Sequence, residues 1–224
     1  MTERKHTDSH FDTELKQLTD SILKMGTIVQ GMIANSMKAI VDRNSDLAEE
    51  VIRADDQVNK LEVQVDDHCL KLIALRQPKA KDLRFVTIGL RASTDLERMG
   101  DLAVNISERA LLLNKEDQLK SYVDLPKVAQ NAQDMVKNAL DAFVQRDVSL
   151  AVRVCESDDE VDELTHRLYD ELIEVMQKDP KAVSRGARLI LICRHFERIA
   201  DHATNIAEQV IFLVEGKDIR HGRI

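Results

Sequence analysis

The sequence contains no tryptophan, and aromatic residues make up only 3% of it. Its core must therefore be assembled from leucine, isoleucine, valine, alanine and methionine, which suit helix-on-helix packing better than a sheet. Runs of alternating polar and apolar residues bounded by turn chemistry are missing as well, which argues against strands. Cysteine is scarce: Cys69, Cys155 and Cys193 are odd in number and form no CxxC pair. They read as buried thiols in a reducing compartment. Basic charge is in deficit, and a net charge of -8 argues against a nucleic-acid partner, whose footprint needs clustered lysine and arginine. The longest apolar runs, such as VIFLV at 210–214, fall far short of the ~20 residues a spanning helix requires. The opening MTERKHTDSHFDTE is too polar for a signal peptide. There is no glycine-rich phosphate loop, no nucleophile beside a base and no Gly-x-Ser-x-Gly elbow. These absences leave the expectation of a soluble, cytoplasmic, all-α protein.

What is present is helical periodicity. From His10 to about Arg43 apolar residues recur at helical spacing, through Leu15, Leu18, Ile22, Met25, Val29 and Met32. Asn44-Ser45-Asp46 supplies a break and a new N-cap. A second helix runs to about Arg76 and stops at Gln77-Pro78, because proline disfavours a helical conformation in the residue before it. A third covers about Lys81 to Leu113. Residues 114–124, NKEDQLKSYVD, lose the periodicity and read as a linker. A fourth helix, with Pro126 in its first turn, ends near Arg146-Asp147. The fifth spans Ser149 to Lys178, and after a turn at Asp179-Pro180 the sixth spans Val183 to Glu215. Residues 1–9 are expected to fray, and the tail GKDIRHGRI to be disordered.

The pattern occurs twice. MIANSMKAIVDR at 32–43 matches MVKNALDAFVQR at 135–146, and ADDQVNKL at 54–61 matches SDDEVDEL at 157–164, both 103 residues apart. LERMGDLAVNISE at 96–108 returns as FERIADHATNIAE at 196–208, 100 residues on. The chain is expected to form two tandem antiparallel three-helix bundles, residues 10–114 and 125–216.

The recurring stretch carries an unfavourable choice. Glu97, Asp101 and Asn105 form one polar stripe at i, i+4, i+8, and so do Glu197, Asp201 and Asn205. Like charges at i and i+4 cost a few tenths of a kcal/mol unless a cation sits between them. In an antiparallel hairpin, residues equidistant from the turn lie side by side. That places Asn59 level with Glu97 and Asp55 with Asp101. In the second unit it places Asp162 level with Glu197 and Asp158 with Asp201. All-oxygen groups of this kind suit magnesium, manganese, calcium or iron better than zinc. The competing reading is that acidic runs such as ESDDEVDE at 156–163 are solvated faces, with Arg98 and Arg198 neutralising neighbouring carboxylates. Glu163 and His166 make one ExxH, the spacing of di-iron bundles, but the first unit lacks its counterpart. His202 falls off the stripe, and His195 reads as a solvated or packed histidine. The second unit has Asp162 where the first has Asn59, so the second is expected to bind metal more tightly. Glu62 or Asp56 would compensate if either reached in, although Asp56 points about 100° away from Asp55.

The doubled E-R-x-x-D-x-A-x-N-I-x-E, the DDxVxxL segments and the six-helix layout resemble the PhoU family of bacterial phosphate-signalling regulators. The N-terminal MTERKHTDSHFDTEL and LIALRQPKAKDLR are similar to its proteobacterial members. The resemblance covers about His10 to Glu215. It implies a cytoplasmic, non-enzymatic negative regulator of the phosphate-starvation response. Such a protein acts at the inner face of the membrane, coupling PstB, the ATPase of the phosphate ABC transporter, to the sensor kinase PhoR. It further implies a homodimer, and metal ions (Mg, Mn, Fe or Zn) held by E(D)xxxD motifs. Those motifs map onto Glu97–Asp101, Asp158–Asp162 and Glu197–Asp201, while Asp55–Asn59 departs from the pattern by ending in asparagine. Two alternatives stand beside it: a helical-bundle carboxylate metalloenzyme, and a metal-free structural adaptor whose stripes are salt-bridged.

Overall fold

Among the described residues six helices carry the chain, with breaks where the sequence supplies a cap, a proline or the linker. They are α1 (Arg4–Val41), α2 (Ser45–Arg76), α3 (Ala80–Leu113), α4 (Leu125–Gln145), α5 (Val148–Lys178) and α6 (Val183–Glu215). A 3-10 turn, Pro180–Ala182, leads into the last. The structure, a computed structural model, describes residues 4–119, 124–217 and 219, with side chains from residue 10 onward. Among the described residues there is no strand, and the fold is two tandem three-helix bundles. Residues 4–9, expected to fray, instead continue α1, since neither proline nor glycine interrupts them. Gly216 ends α6 in the left-handed region (φ 72), donating its N–H to Phe212 O at 2.9 Å. Glycine adopts that conformation without a Cβ clash. Most of the tail after it lies outside the described residues, but Ile219 is half-buried against the core.

The two short turns, α1–α2 and α4–α5, are built alike. Arg43 (φ 52) and Arg146 (φ 55) close the preceding helices in the left-handed region. The next residues, Asn44 and Asp147, cap the following helices by accepting from Leu47 N and Leu150 N, each at 3.0 Å. Both arginines have further work. The Arg146 guanidinium lies 5.5 Å from the centre of the Phe85 ring. Arg43 Nη2 donates to Asn114 O at 2.9 Å and also to Glu116 O.

Each half packs its three helices together, and the halves meet along α3 against α6 and α1 against α4. The apolar faces run into one core: Ile22 and Ile33 of α1, Leu96 and Ile106 of α3, and Phe196 and Ile206 of α6 belong to the same buried cluster. Phe85 of α3 stacks on Phe143 of α4, centroids 5.4 Å apart and planes 14° off parallel. Gly26 lets α1 approach α4, since a Cβ there would come within 2.4 Å of Leu140 Cδ1. The described part of the linker is held from both sides, by Arg43 and by α6. Arg185 Nη1 donates to Asp117 O at 2.9 Å, and Arg188 pairs with the Glu116 carboxylate. Residues 120–123 of the expected linker lie outside the described residues.

The central helices α3 and α6 run antiparallel. Asp95, in the first half of α3, bonds to residues 202–209 in the second half of α6. Cys69 and Cys193 are buried, as the sequence suggests, but Cys155 is only half-buried; none forms a disulfide. Among the described residues no helix is long and apolar enough to cross a membrane.

Candidate functional site

The four sequence-derived oxygen ligands of the first half stand on the facing sides of α2 and α3. Asp55 and Asn59 are one turn apart on α2, and Asn59 Nδ2 donates to Asp55 Oδ2 at 2.8 Å. The other oxygen, Asp55 Oδ1, is buried and has no hydrogen-bond partner, and neither has Asn59 Oδ1. Gly100 opens the space beside Asp55, because a Cβ there would lie 3.5 Å from Asp55 Oδ1. Burial raises the Asp55 carboxyl above its ordinary range, and the Asp101 charge adds to that. Glu97 is raised by burial and by Asp101, Glu62 and Asp55, with Arg98 opposing. The four positions thus sit within one another's electrostatic reach.

The second half repeats this on α5 and α6. Asp158 is the most perturbed carboxyl, pushed up to about 7 by burial and then by Asp201, Asp162, Asp159 and Glu197. Its Oδ1 is buried without a partner. Asp201 is raised by the surrounding chain and by Glu197 and Asp162, with His202 and Arg198 opposing. Although its side chain retains solvent exposure, its carboxyl lies beside these two anions. Glu197 differs from its counterpart Glu97 in having a donor: Tyr169 O–H bonds its Oε2 at 3.0 Å. Burial and that carboxylate together raise the tyrosine hydroxyl.

Inward-facing oxygens without donors, and carboxyls resisting ionisation, are the chemistry of a site short of positive charge. The donor set fits a hard cation in kind. As the side chains stand, no group of three or more His, Cys, Asp or Glu among the described residues is arranged to hold a metal ion. Ligation therefore requires carboxylates to turn from their present positions. Arg98 and Arg198, candidates to neutralise the stripes, lower the carboxyls beside them but leave the raised values in place.

Several placements depart from the spacing argument or lie beyond it. Glu62, seven residues after Asp55 on α2, joins the first group: burial, Asp66 and Asp101 raise it, and it acts in turn on Glu97. Asp56 is exposed. The first group therefore has four carboxylates once Glu62 is counted, and the simple excess of charge in the second disappears. Asn105 and Asn205 do not extend their stripes. Asn105 Nδ2 bonds its own helix at Asp101 O, 2.8 Å, and Asn205 Nδ2 reaches Asp95 at 3.3 Å. His166 is exposed and its Nδ1–H donates to Asp162 O at 2.8 Å, so the ExxH does not face the carboxylates.

One polar cluster has no signal in the acidic pattern. Asp95 of α3 is 6% exposed, and its Oδ1 accepts from His202 Nδ1 at 3.0 Å as well as from Asn205. Its Oδ2 accepts from Gln209 Nε2 at 3.2 Å. This buried network joins the two halves beside an open cleft of about 350 Å³ that Arg91 and Arg98 also line. The spacing of His202, Asn205 and Gln209 on one face of α6 was the available clue, but nothing in the chain points to Asp95 as its partner.

Comparison with known proteins places this geometry. The PhoU domain model matches twice, over residues 22–110 and 125–210. A phosphate-specific transport system accessory protein PhoU homolog of Aquifex aeolicus is 43% identical over 211 residues, spanning 94% of this chain and 96% of that protein. The homolog of the same description from Pseudomonas aeruginosa is 39% identical over 217 residues, spanning 96% of this chain and 90% of that protein. The crystal structure of PhoU from Pseudomonas aeruginosa superposes with a TM-score of 0.90 at 39% identity, covering 92% of this chain and 100% of that one.

Proposed function

The chain belongs to the PhoU family, and from that premise we propose that it is an accessory regulator of phosphate-specific transport. The observation that carries the reading is identity of 43% and 39% to proteins of that description, over nearly the whole length of both partners. At the finer level, the protein holds the phosphate-starvation response off when phosphate is plentiful. It does so as a cytoplasmic adaptor, peripheral to the inner membrane through its partners, coupling the transporter ATPase PstB to the sensor kinase PhoR. It works as a homodimer, by binding rather than by catalysis. The long helical faces and the want of a catalytic motif in the sequence support that, and the metalloenzyme alternative loses its one motif when His166 turns to its own helix.

Metal ions of the Mg, Mn, Fe or Zn type are proposed to occupy the carboxylate groups. Asp55, Asn59, Glu97 and Asp101, with Glu62 beside them, would hold one group, and Asp158, Asp162, Glu197 and Asp201 the other. Support comes from the orphaned oxygens of Asp55, Asn59 and Asp158. A bound hard cation would supply the positive charge that these carboxyls lack. Deleting the gene tests the regulatory reading. Alkaline phosphatase and the other starvation genes should stay on in phosphate-rich medium, and additional loss of the kinase should silence them. Unchanged reporter expression in the deletion strain would overturn it.

A further inference from the structure

The cleft beside Asp95, about 350 Å³ in volume, lies between α3 and α6 and is large enough to take a small molecule. Spacing on α3 explains its shape. Arg91 and Arg98 are seven residues apart, so they share one face of the helix roughly 10 Å apart along its axis. Thr94 stands between them, and its short side chain turns back to Leu90 O at 3.2 Å. The space between the two arginines is therefore left open.

The floor of the cleft is chemically closed. Asp95 Oδ1 accepts from His202 and Asn205, and its Oδ2 accepts from Gln209. The walls are not closed in this way. Arg91 and Arg98 are exposed, and among the described residues neither makes a hydrogen bond or an ion pair. Arg98 acts on the Glu62 and Glu97 carboxyls without bonding to either. Asn205 is half-buried and spends its Nδ2 on Asp95, which leaves its amide oxygen free to accept. Two guanidinium groups, each presenting paired N–H donors suited to an oxyanion, thus stand over one carboxylate that is already satisfied. At the far end of the α3–α6 contact the equivalents of Asp95, Thr94 and Gln209 are His195, Arg194 and Arg109. The charges bearing on His195 there are all positive, so the two ends differ in kind.

We infer that the cleft binds a small hydroxylated anion, its charged group held by Arg91 and Arg98 and a hydroxyl donating to the Asn205 amide oxygen. The site rests on the contact of α3 with α6, and depends neither on the regulatory reading nor on metal at the carboxylates.

The test uses the full chain, freed of divalent ions by chelation, in isothermal titration calorimetry. Glycerol 3-phosphate and glycerate are titrated into the wild type, R91Q, R98Q and R194Q, the last an exposed arginine outside the cleft. The expected result is saturable binding at one site per chain, weakened about tenfold or more in R91Q and in R98Q and unchanged in R194Q. Tighter binding of glycerol 3-phosphate identifies a phosphate ester and tighter binding of glycerate a carboxylate; either upholds the site. No saturable binding of the two anions would overturn it, as would undiminished affinity in R91Q and R98Q. An equal loss in R194Q would reduce the effect to net charge and overturn it too. Both cleft arginines lie on the surface, so the variants should keep the wild-type melt; where one does not, the other decides.

Discussion

A carboxyl that resists ionisation holds its proton to higher pH, and Asp158 is the clearest case. Its folded value, about 7, lies above the ordinary 3.8, so the folded state holds the proton more tightly than the unfolded chain. The stability this contributes is fully present below the unfolded value and is lost as pH rises through about 7. Asp55, Glu62, Glu97 and Asp201 are raised too and act in the same direction. Metal-free protein should therefore melt at a lower temperature at about pH 8 than at about pH 5.5. Asp158→Asn removes the most strongly repelled charge. At the higher pH it should raise the melting temperature of metal-free protein by roughly 2–4 °C, or about 1 kcal/mol, and blunt the rise expected on adding manganese under the proposed metal binding. Scanning calorimetry checks both, and an unaltered pH profile in the variant would refute the electrostatic account. What could be read from the spacing is that Asp55 lies near Asp101, and Asp158 near Asp201, across facing helices. Glu62 and Tyr169 could not be read, because a side chain two turns along the same helix enters a group only through its rotamer, which spacing does not report.

At the level of elements, the limits of α2 to α6 could be read almost to the residue, because α2, α5 and α6 begin or end at signals with a mechanism, whereas α1 starts at Arg4 and not at the expected His10. Asn44 and Asp147 are the clearest, each accepting an N–H that the helix cannot satisfy itself. Replacing either by alanine should cost about 1 kcal/mol, seen in urea unfolding as a lower midpoint with unchanged slope. The two losses should be similar, since the turns are equivalent; a cost confined to one would contradict that equivalence. The left-handed residues just before the caps were not legible. Arginine occupies both positions where glycine is the usual signal, and Phe85 and the linker carbonyls engage the two side chains. The Asp95 network escaped for a related reason: pairing between α3 and α6 depends on how the halves dock, and no turn between them sets the register.

For the whole molecule, the repeat suggests two units, but their apolar faces close on each other. Phe143 is 1% exposed and Leu140 3% exposed, and both meet residues of the first half, Phe85 and the helix around Gly26. Residues 125–216 produced alone would present that surface to water, and contiguous apolar patches of this kind drive association. The fragment should self-associate in sedimentation and lack a sharp thermal transition. A monomeric fragment with a cooperative melt would show that the shared core is dispensable.

The antiparallel contact of α3 with α6 has the form of a handshake between two copies of one motif, made within a single chain. Were the copies separate and identical, every substitution at that contact would be inherited by both hands at once. Asp95 could then never face His202, Asn205 and Gln209 without a second aspartate facing their counterparts at the far end. Joining the copies end to end removes that bond between the two ends of the seam. One end keeps its anion, the other keeps only the cations, and each lineage of change is free to run alone. A molecule with nearly two-fold architecture is thereby able to carry two different chemistries at its two equivalent places.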